Sequence, residues 1–399
     1  MPRTPSFLVG LDLGSTQTRC VVGIEEDGRL RCLSYGAARS GGWRRGVIVD
    51  QEPVVESVDQ AVAEAEANGG LAIESAVVGV GATVTSALSR GPTLLAAGHP
   101  IARLQVNEAV KTATRARLGE DRMLLQAVPI SFAVDGQPGI RNPLEMTGRR
   151  LEAQVRLLAA STVAHMNLTT VVNKAGIVVE ETIFEPFAGA LAAIGEQERQ
   201  IGVAVADLGA GSTDLIAYLE DDLRAAVSIP IGGDLFIRDA AYGLRTPEAD
   251  AARLIEQYGC AIAEMTSENS RLEVPSASGD GLRETSRRTL NQILESRAEE
   301  LFTLIKQELA RAGVEGQLIA GLVLTGGLAK MTGLVDMAER VLKTGVRMGL
   351  PAHLYELPEE LDRPEWTTAI GLLLYAQRLR LHRRAEKETV AAWLRNIFS

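Results

Sequence analysis

"VAVADLGAGSTDLIAYL", residues 203–219, sets an aspartate and a run of small residues between two apolar stretches, and "LVGLDLGSTQTRCVVGI", residues 8–24, does nearly the same. Each reads as strand, turn, strand, with Gly14 and Gly209 supplying turn positions that need no Cβ. Asp12 and Asp207 fall at the same point of the two turns. Ser15, Thr16 and Thr18 in one, and Ser212 and Thr213 after Gly211 in the other, put hydroxyls beside backbone N–H groups, a concavity suited to phosphate oxygens. One such segment would be an ordinary β-turn. Two with matched flanks predict a duplicated half-molecule whose turns clamp a polyphosphate from both sides, with Asp12 and Asp207 converging on one cleft. A carboxylate pair there is tolerable mainly around a cation, and Mg²⁺ suits a few carboxylates, water and phosphate.

The 399 residues predict two or more domains. Hydrophobic residues at 46% and charged residues at 23% suit a globular chain, and the 4% aromatic content favours small-residue α/β packing over a β-sandwich. A net charge of -10 argues against nucleic acid as a partner. Cys20, Cys32 and Cys260 are scattered without a CxxC, which supports neither a disulfide framework nor a zinc site and predicts a reducing, cytoplasmic setting. His99, His165, His353 and His382 are isolated and lack metal-ligand spacing. "VGVGATV" begins like a dinucleotide fingerprint, but Val84 stands where the third glycine belongs.

Strands are expected near 7–13, 18–24 and 30–36, then a helix ending at Gly69 and Gly70. From about residue 83 the texture changes to an insert: a helix near 105–118, strands at 122–134 and 150–159, and a helix capped by Ser161 or Thr162 running to about 174. The small-residue helix "FAGALAAIG" leads into the second aspartate turn. Thr246 and Pro247 predict a helix with proline at its first position, and Ser286 predicts a cap for a long helix to about Arg311. "LVLTGGLAKM" reads as a strand opening through Gly326 and Gly327 into a helix, a geometry for an anion or a ribose-adenine at a helix N-terminus. A last helix is expected over 365–384. In "ETVAAWLRNIFS", Val390, Trp393, Leu394, Ile397 and Phe398 fall on one helical stripe behind a basic approach, the pattern of a helix lying on an anionic inner leaflet.

The order "DLGST", "EPFAGALA", "DLGAGSTD", "GLVLTGGLAK" and "TAIGLLL" resembles the actin, Hsp70 and sugar-kinase superfamily. Within it, "RNPLEMTGRRLEAQVRLLAAST", "FEPFAGALA", "SIPIGGDLFIRDAAYGLRT" and "SRRTLNQILESRAEELF" resemble the FtsA family, actin homologues of bacterial cell division, over nearly the whole chain. The resemblance implies an α/β, two-domain actin-like ATPase fold with duplicated mixed sheets flanked by helices. It implies a first half at 1–82 and 167–198 (subdomain 1A) interrupted by a family-specific insert at 83–166 (1C). The second half is implied at 199–237 and 312–380 (2A) and 238–311 (2B), followed by a basic segment and amphipathic helix at 381–399.

The resemblance further implies ATP and Mg²⁺ bound between the halves, with slow or undetectable hydrolysis. Asp12 and Asp207 would hold the metal through water. The phosphate and nucleoside loops would be Gly14, Ser15, Thr16 and Gln17; Gly209, Ala210, Gly211, Ser212, Thr213 and Gly233; and Gly326, Gly327 and Leu328. Glu185 either complements a helix dipole or, by the resemblance, orients the attacking water. Small residues, Ala188 to Ala193 against Ala369 and Gly371, would let two connecting helices cross as a hinge. Related sequences present a Glu and a Lys to the nucleoside where Ala252 and Ile255 stand here, and often a third glycine where Leu328 stands.

As partners the resemblance implies the FtsZ C-terminal tail at Arg287, Arg288 and Arg297, other divisome proteins, further copies in a filament, and anionic lipid at the cytoplasmic face of the inner membrane. The alternatives are an adaptor of type IV pilus assembly resembling PilM, which lacks the terminal anchor, and a small-molecule kinase, for which no general base or substrate pocket is legible.

Overall fold

The structure is a computed structural model that describes residues 7–26, 29–96, 98–279, 281–352 and 354–398, with His382 and residues 384–398 described by their backbone alone. The chain opens with a meander of β1 (Leu8–Leu13), β2 (Gln17–Glu26) and β3 (Arg29–Arg39), then a two-residue ladder of β4 (Trp43–Arg44) and β5 (Val47–Ile48). Helix α1 (Gln51–Gly69) follows, capped at its start by the Asp50 carboxylate and closed by Gly70 in the left-handed region, and it leads to β6 (Ser75–Val80). The insert contains β7 (Thr85–Leu94), α2 (Arg103–Ala113), β8 (Arg122–Val134), β9 (Gln137–Ile140) and β10 (Arg150–Ser161). The first half resumes with α3 (Thr162–Lys174), capped by Ser161, and β11 (Val178–Phe184); α4 (Glu185–Ala193) and α5 (Glu196–Ile201) then lead across to the second half.

The second half repeats the plan. Strands β12 (Val203–Leu208), β13 (Thr213–Leu219) and β14 (Asp222–Ile229) form its meander. Helices α6 (Gly233–Leu244) and α7 (Glu248–Tyr258), the hairpin β15 (Arg271–Pro275) and β16 (Leu282–Ser286), and the long α8 (Arg287–Arg311) follow. Then come β17 (Leu322–Thr325), α9 (Leu334–Leu342), β18 (Val346–Met348) and α10 (Thr367–Phe398). The two large sheets have the orders β3-β2-β1-β6-β11 and β14-β13-β12-β17-β18. In each, the first three strands are antiparallel and the rest join in parallel, so the duplication inferred from two short segments extends across both sheets.

The halves meet through α4 and α10. Their close crossing follows from residue size: a Cβ on Gly371 would lie 1.9 Å from the Ala188 carbonyl oxygen, and one on Gly10 of β1 would lie 2.5 Å from that of Ala369. Around this crossing Leu8, Val21, Val77, Ile183, Ala188, Ile370 and Leu373 form a buried cluster. The insert has its own core, with Ile101, Ala109 and Ala113 packed on Leu151, Ala153 and Val155. It is also tied to the second half: Arg156 Nε donates to the Leu223 carbonyl (2.8 Å), and Ser228 N donates to that of Val84 (3.0 Å).

Several expectations shift. The glycine turn after β17 enters a 3₁₀ turn, Gly327–Lys330, before α9 begins, because Gly333 at φ 74° separates the two. Pro247 is the cap residue of α7 rather than its first helical residue. The expected boundaries at 166 and 237 fall inside α3 and α6. The final helix does not stop near 384 but continues as one element to Phe398. It is clamped to the first half by Tyr375 Oη on Glu181 (2.8 Å), by Arg383 on Glu180 (3.3 Å) and by Arg380 on the Phe7 carbonyl. The side chains of Val390, Trp393, Leu394, Ile397 and Phe398, expected to form the apolar stripe, lie outside the described ones, and no described helix is long and apolar enough to cross a membrane.

The helix crossing yields a stability contrast. Gly371→Ala forces backbone apart and is expected to lower unfolding stability by about 3 kcal/mol. Gly70→Ala, where a Cβ meets nothing within 4 Å, pays only the left-handed backbone cost of about 1 kcal/mol. Urea denaturation of the two variants checks the order.

Candidate functional site

The two aspartate turns match residue for residue. Gly14 N donates to the Gln17 carbonyl (3.1 Å) and Gly209 N to that of Ser212 (2.9 Å), so each loop is closed by the same backbone bond. Across the hairpins, Asp12 pairs with Arg19 and Leu13 with Thr18, while Asp207 pairs with Asp214 and Leu208 with Thr213. The duplicated frame therefore carries different charge: where the first hairpin has an arginine, the second has another carboxylate. Arg19 Nη1 lies 3.7 Å from Asp12, its Nη2 donates to Gln17 Oε1 (2.7 Å), and the guanidinium sits 5.6 Å from the centre of the Trp366 ring. Asp207 accepts from Thr368 Oγ1 at the start of α10.

Asp214, which the sequence reading did not single out, is buried and accepts from Ala82 N (3.1 Å), Ser212 Oγ (3.2 Å) and Ser228 Oγ. Glu185 heads α4, and a Cβ on Gly81 would stand 2.3 Å from its Oε2 and 2.7 Å from Asp214 Oδ2. The two carboxylates thus face each other across a glycine. Asp12, Glu185, Asp207 and Asp214 share one interior, and burial raises all four. Asp12 is pushed up to about 7 by burial, with Arg19 opposing and Asp207 adding to the shift. Asp214 also reaches about 7, burial outweighing its hydrogen bonds from Ser228 and Ala82. Glu185 rises well above the ordinary range through burial and then the charges of Asp12, Asp214 and Asp207, and Asp207 rises through burial against the Thr368 hydrogen bond.

These groups line a cleft of about 700 Å³ between the halves. Of the expected residues, Asp12, Gly14, Ser15, Thr16, Gln17, Glu185, Asp207, Gly209, Ala210, Gly211, Ser212, Gly233, Gly326, Gly327 and Leu328 all reach it. Thr213 does not: it is buried and its hydroxyl donates to the Ile231 carbonyl (2.8 Å), just as Thr18 turns inward to Ser57 (2.8 Å). Strand alternation sends both threonines to the core side. Gly211 packs on Gly46, where a Cβ would come within 2.2 Å of the Gly46 nitrogen, so the Trp43–Ile48 loop forms part of the cleft wall. Gly326, at φ 82°, would place a Cβ 2.4 Å from Asp207 Oδ1. Small residues here let loops approach the carboxylates.

At the far end Ala252 lines the cleft, but Ile255 packs into the second half's core, and Glu256 takes the wall position one helical turn beyond Ala252. Lys330 also lines the cleft and pairs with Glu365 (2.7 Å), so this end carries charge that the substitutions at 252 and 255 had appeared to remove. His165 sits at the rim, bonded to Thr182 (2.9 Å), with burial lowering its pKa. Away from the cleft, Arg287 lies over Tyr258, Arg288 pairs with Glu268 (2.5 Å) and Arg297 with Asp239 (2.6 Å), so each of the three arginines has a partner in its own chain.

The donor set fits a polyphosphate with a hard cation. Two glycine-tight loops expose backbone N–H groups, and four buried carboxylates stand against Arg19. Among the described residues no three His, Cys, Asp or Glu side chains are placed to hold a metal by themselves.

Comparison with known proteins agrees with this frame. The family profile described as Cell division protein FtsA matches residues 204–371, and that described as SHS2 domain inserted in FTSA matches residues 81–159. Cell division protein FtsA of Pseudomonas aeruginosa is 34% identical over 92% of this chain and 89% of its own length, and that of Escherichia coli K12 is 31% identical over 98% and 97%. Among solved structures, the PilM-PilN type IV pilus biogenesis complex aligns with a TM-score of 0.67 at 18% identity, covering 94% of this chain and 99% of the other. MreB5 of Spiroplasma citri bound to AMPPNP aligns with a TM-score of 0.55 at 12% identity over 98% and 99%, so the actin-like fold is common to all of them. Identity of this extent, with the inserted domain at the same place in a duplicated actin-like frame, means that the chain belongs to the FtsA family of cell-division proteins.

Proposed function

We propose that this chain binds ATP with Mg²⁺ in the cleft, assembles into filaments with further copies, and tethers FtsZ to the cytoplasmic face of the inner membrane at the division site, where it recruits later divisome proteins. The observation that carries the nucleotide part is the pair of register-matched hairpins whose carboxylates share one buried cleft. Asp12 and Asp207 hold the cation through water, and the cation supplies charge neutralisation for the phosphates. The N–H groups of the loops at Gly14 and Gly209 take phosphate oxygens, and Arg19 adds positive charge. Glu185 positions a water, its carboxyl raised well above the ordinary range by burial and then by the charges of Asp12, Asp214 and Asp207, and hydrolysis is slow or undetectable.

Closure about the α4–α10 crossing, with Thr368 on α10 bonded to Asp207, gives the nucleotide a route to change the angle between the halves. An FtsZ tail, being acidic, would compete with Glu268 and Asp239 for Arg288 and Arg297. The terminal stripe from Val390 to Phe398 supports membrane attachment, and its continuity with α10 supports a stiff connection rather than a flexible one. The insert, bounded by β6 and α3, is offered to neighbouring copies and to divisome partners. The wider family relationship sets aside a small-molecule kinase, and a pilus adaptor is favoured by no feature beyond the fold.

Three outcomes are expected. Asp207→Ala lowers Mg-ATP affinity by at least about tenfold in titration calorimetry, the loss of a charged contact, whereas equal affinity contradicts the site. Removal of residues 388–399 abolishes sedimentation with anionic liposomes and with it recruitment of FtsZ to them; retention of both defeats the anchor. The third concerns pH. Asp12 and Asp214, raised from 3.8 to about 7, hold protons in the nucleotide-free fold that the unfolded chain has released, so their contribution to stability is complete below about pH 4 and is lost as pH rises through 7. The thermal midpoint without nucleotide should fall between about pH 4 and 7 and level off above that, and Asp214→Asn should flatten that fall.

A further inference from the structure

Glu365 stands in the 3₁₀ turn Pro364–Trp366 that enters α10, with its side chain only 9% exposed, on the wall of the cleft. Its Oε1 accepts from Lys330 Nζ (2.7 Å), while its Oε2 is buried and has no partner. The two turns are joined by their backbones, since Gly326 N donates to the Pro364 carbonyl (3.0 Å). That places Glu365 beside the third glycine loop, with Gly327 and Leu328 on the same cleft wall. A buried carboxylate oxygen without a donor costs free energy until one reaches it. An ionised carboxylate can only accept, so what satisfies it must be an N–H or O–H.

We propose that Glu365 is a specificity-determining residue whose free oxygen takes a hydrogen bond from a donor on the nucleoside half of the bound nucleotide, either the exocyclic amino group of the base or a ribose hydroxyl. This rests on the nucleotide reading above and gives a role to the charge that Lys330 and Glu365 bring to that end of the cleft. The last side-chain bond is a soft torsion, so the carboxylate can turn toward a donor in the cleft that Glu365 lines. A base with a carbonyl in place of the amino group would meet the carboxylate oxygen to oxygen and be rejected.

The test is titration calorimetry of the full chain with Mg-ATP, Mg-ITP and Mg-2′-deoxy-ATP, on the parent protein and on Glu365→Ala and Glu365→Gln. The parent should prefer ATP over one of the two analogues by about tenfold or more, the worth of one charged hydrogen bond. Weak ITP binding identifies the base amine as the donor, and weak 2′-deoxy-ATP binding the ribose. Glu365→Ala should erase that preference by weakening ATP while leaving the poorer analogue unchanged. Should that variant fail to fold, as judged by its thermal melt, the isosteric Glu365→Gln should still reduce the preference. An equal preference in the parent and the Glu365 variants, or none in the parent, overturns the assignment while leaving the nucleotide site intact. No binding of any nucleotide to the parent overturns the nucleotide reading itself, and the assignment with it.

Discussion

Four buried carboxylates held between two halves of one molecule, with Arg19 paired to one of them, Asp12, are the constraint on which the rest of the structure depends. Like charges brought together in a dry interior repel, and protons or a cation must offset them. The frame around them is built to bring them close. Gly81 leaves room for Glu185 and Asp214 to face each other, Gly326 lets a loop pass beside Asp207, and Gly211 lets the Trp43–Ile48 loop close one wall. The same residues that create the electrostatic problem create the concavity that a charged ligand would fill.

The connection between this cleft and the remainder of the chain is α10. It begins at the cleft with Thr367 and Thr368, directly after the turn that holds Glu365, crosses α4 at Gly371, packs on β1 at Gly10, and is clamped by Tyr375, Arg380 and Arg383 to the first half. These contacts hold the helix to that half, while its first turn touches a carboxylate of the other. Membership of the FtsA family gives this arrangement its setting in cell division. The insert adds a second link between the halves through Arg156 and Ser228, so a change in the cleft angle must be accommodated at the root of the insert as well.

The duplication was legible because each hairpin states it locally: apolar strand, aspartate, small-residue turn, apolar strand. The helix caps at Ser161, Ser286 and Gly70 were legible for the same reason, since a cap is a matter of neighbouring residues. Asp214 was overlooked although it stands in the quoted segment, because its role comes from Ala82 and Ser228, which reach it from a distant loop and the neighbouring strand. Thr213 was over-read in the opposite direction: a hydroxyl beside a phosphate loop looks like a ligand until strand alternation turns it inward. Ile255 and Glu256 differ by one position on α7, too fine a distinction for a pattern to settle without knowing which face of the helix meets the cleft.

By itself the sequence determined the α/β class, the repeated aspartate turns, the small-residue helices and the family, because these depend on residue order, short-range geometry and the size of side chains. Only the tertiary structure decided that the matched turns carry unequal charge, that Asp214 and Glu365 belong to the cleft wall, and that the last helix runs unbroken into the C-terminal segment. Those features arise where segments far apart in the chain are brought within a few ångströms, and there burial and long-range hydrogen bonds, rather than local propensity, set what each residue does.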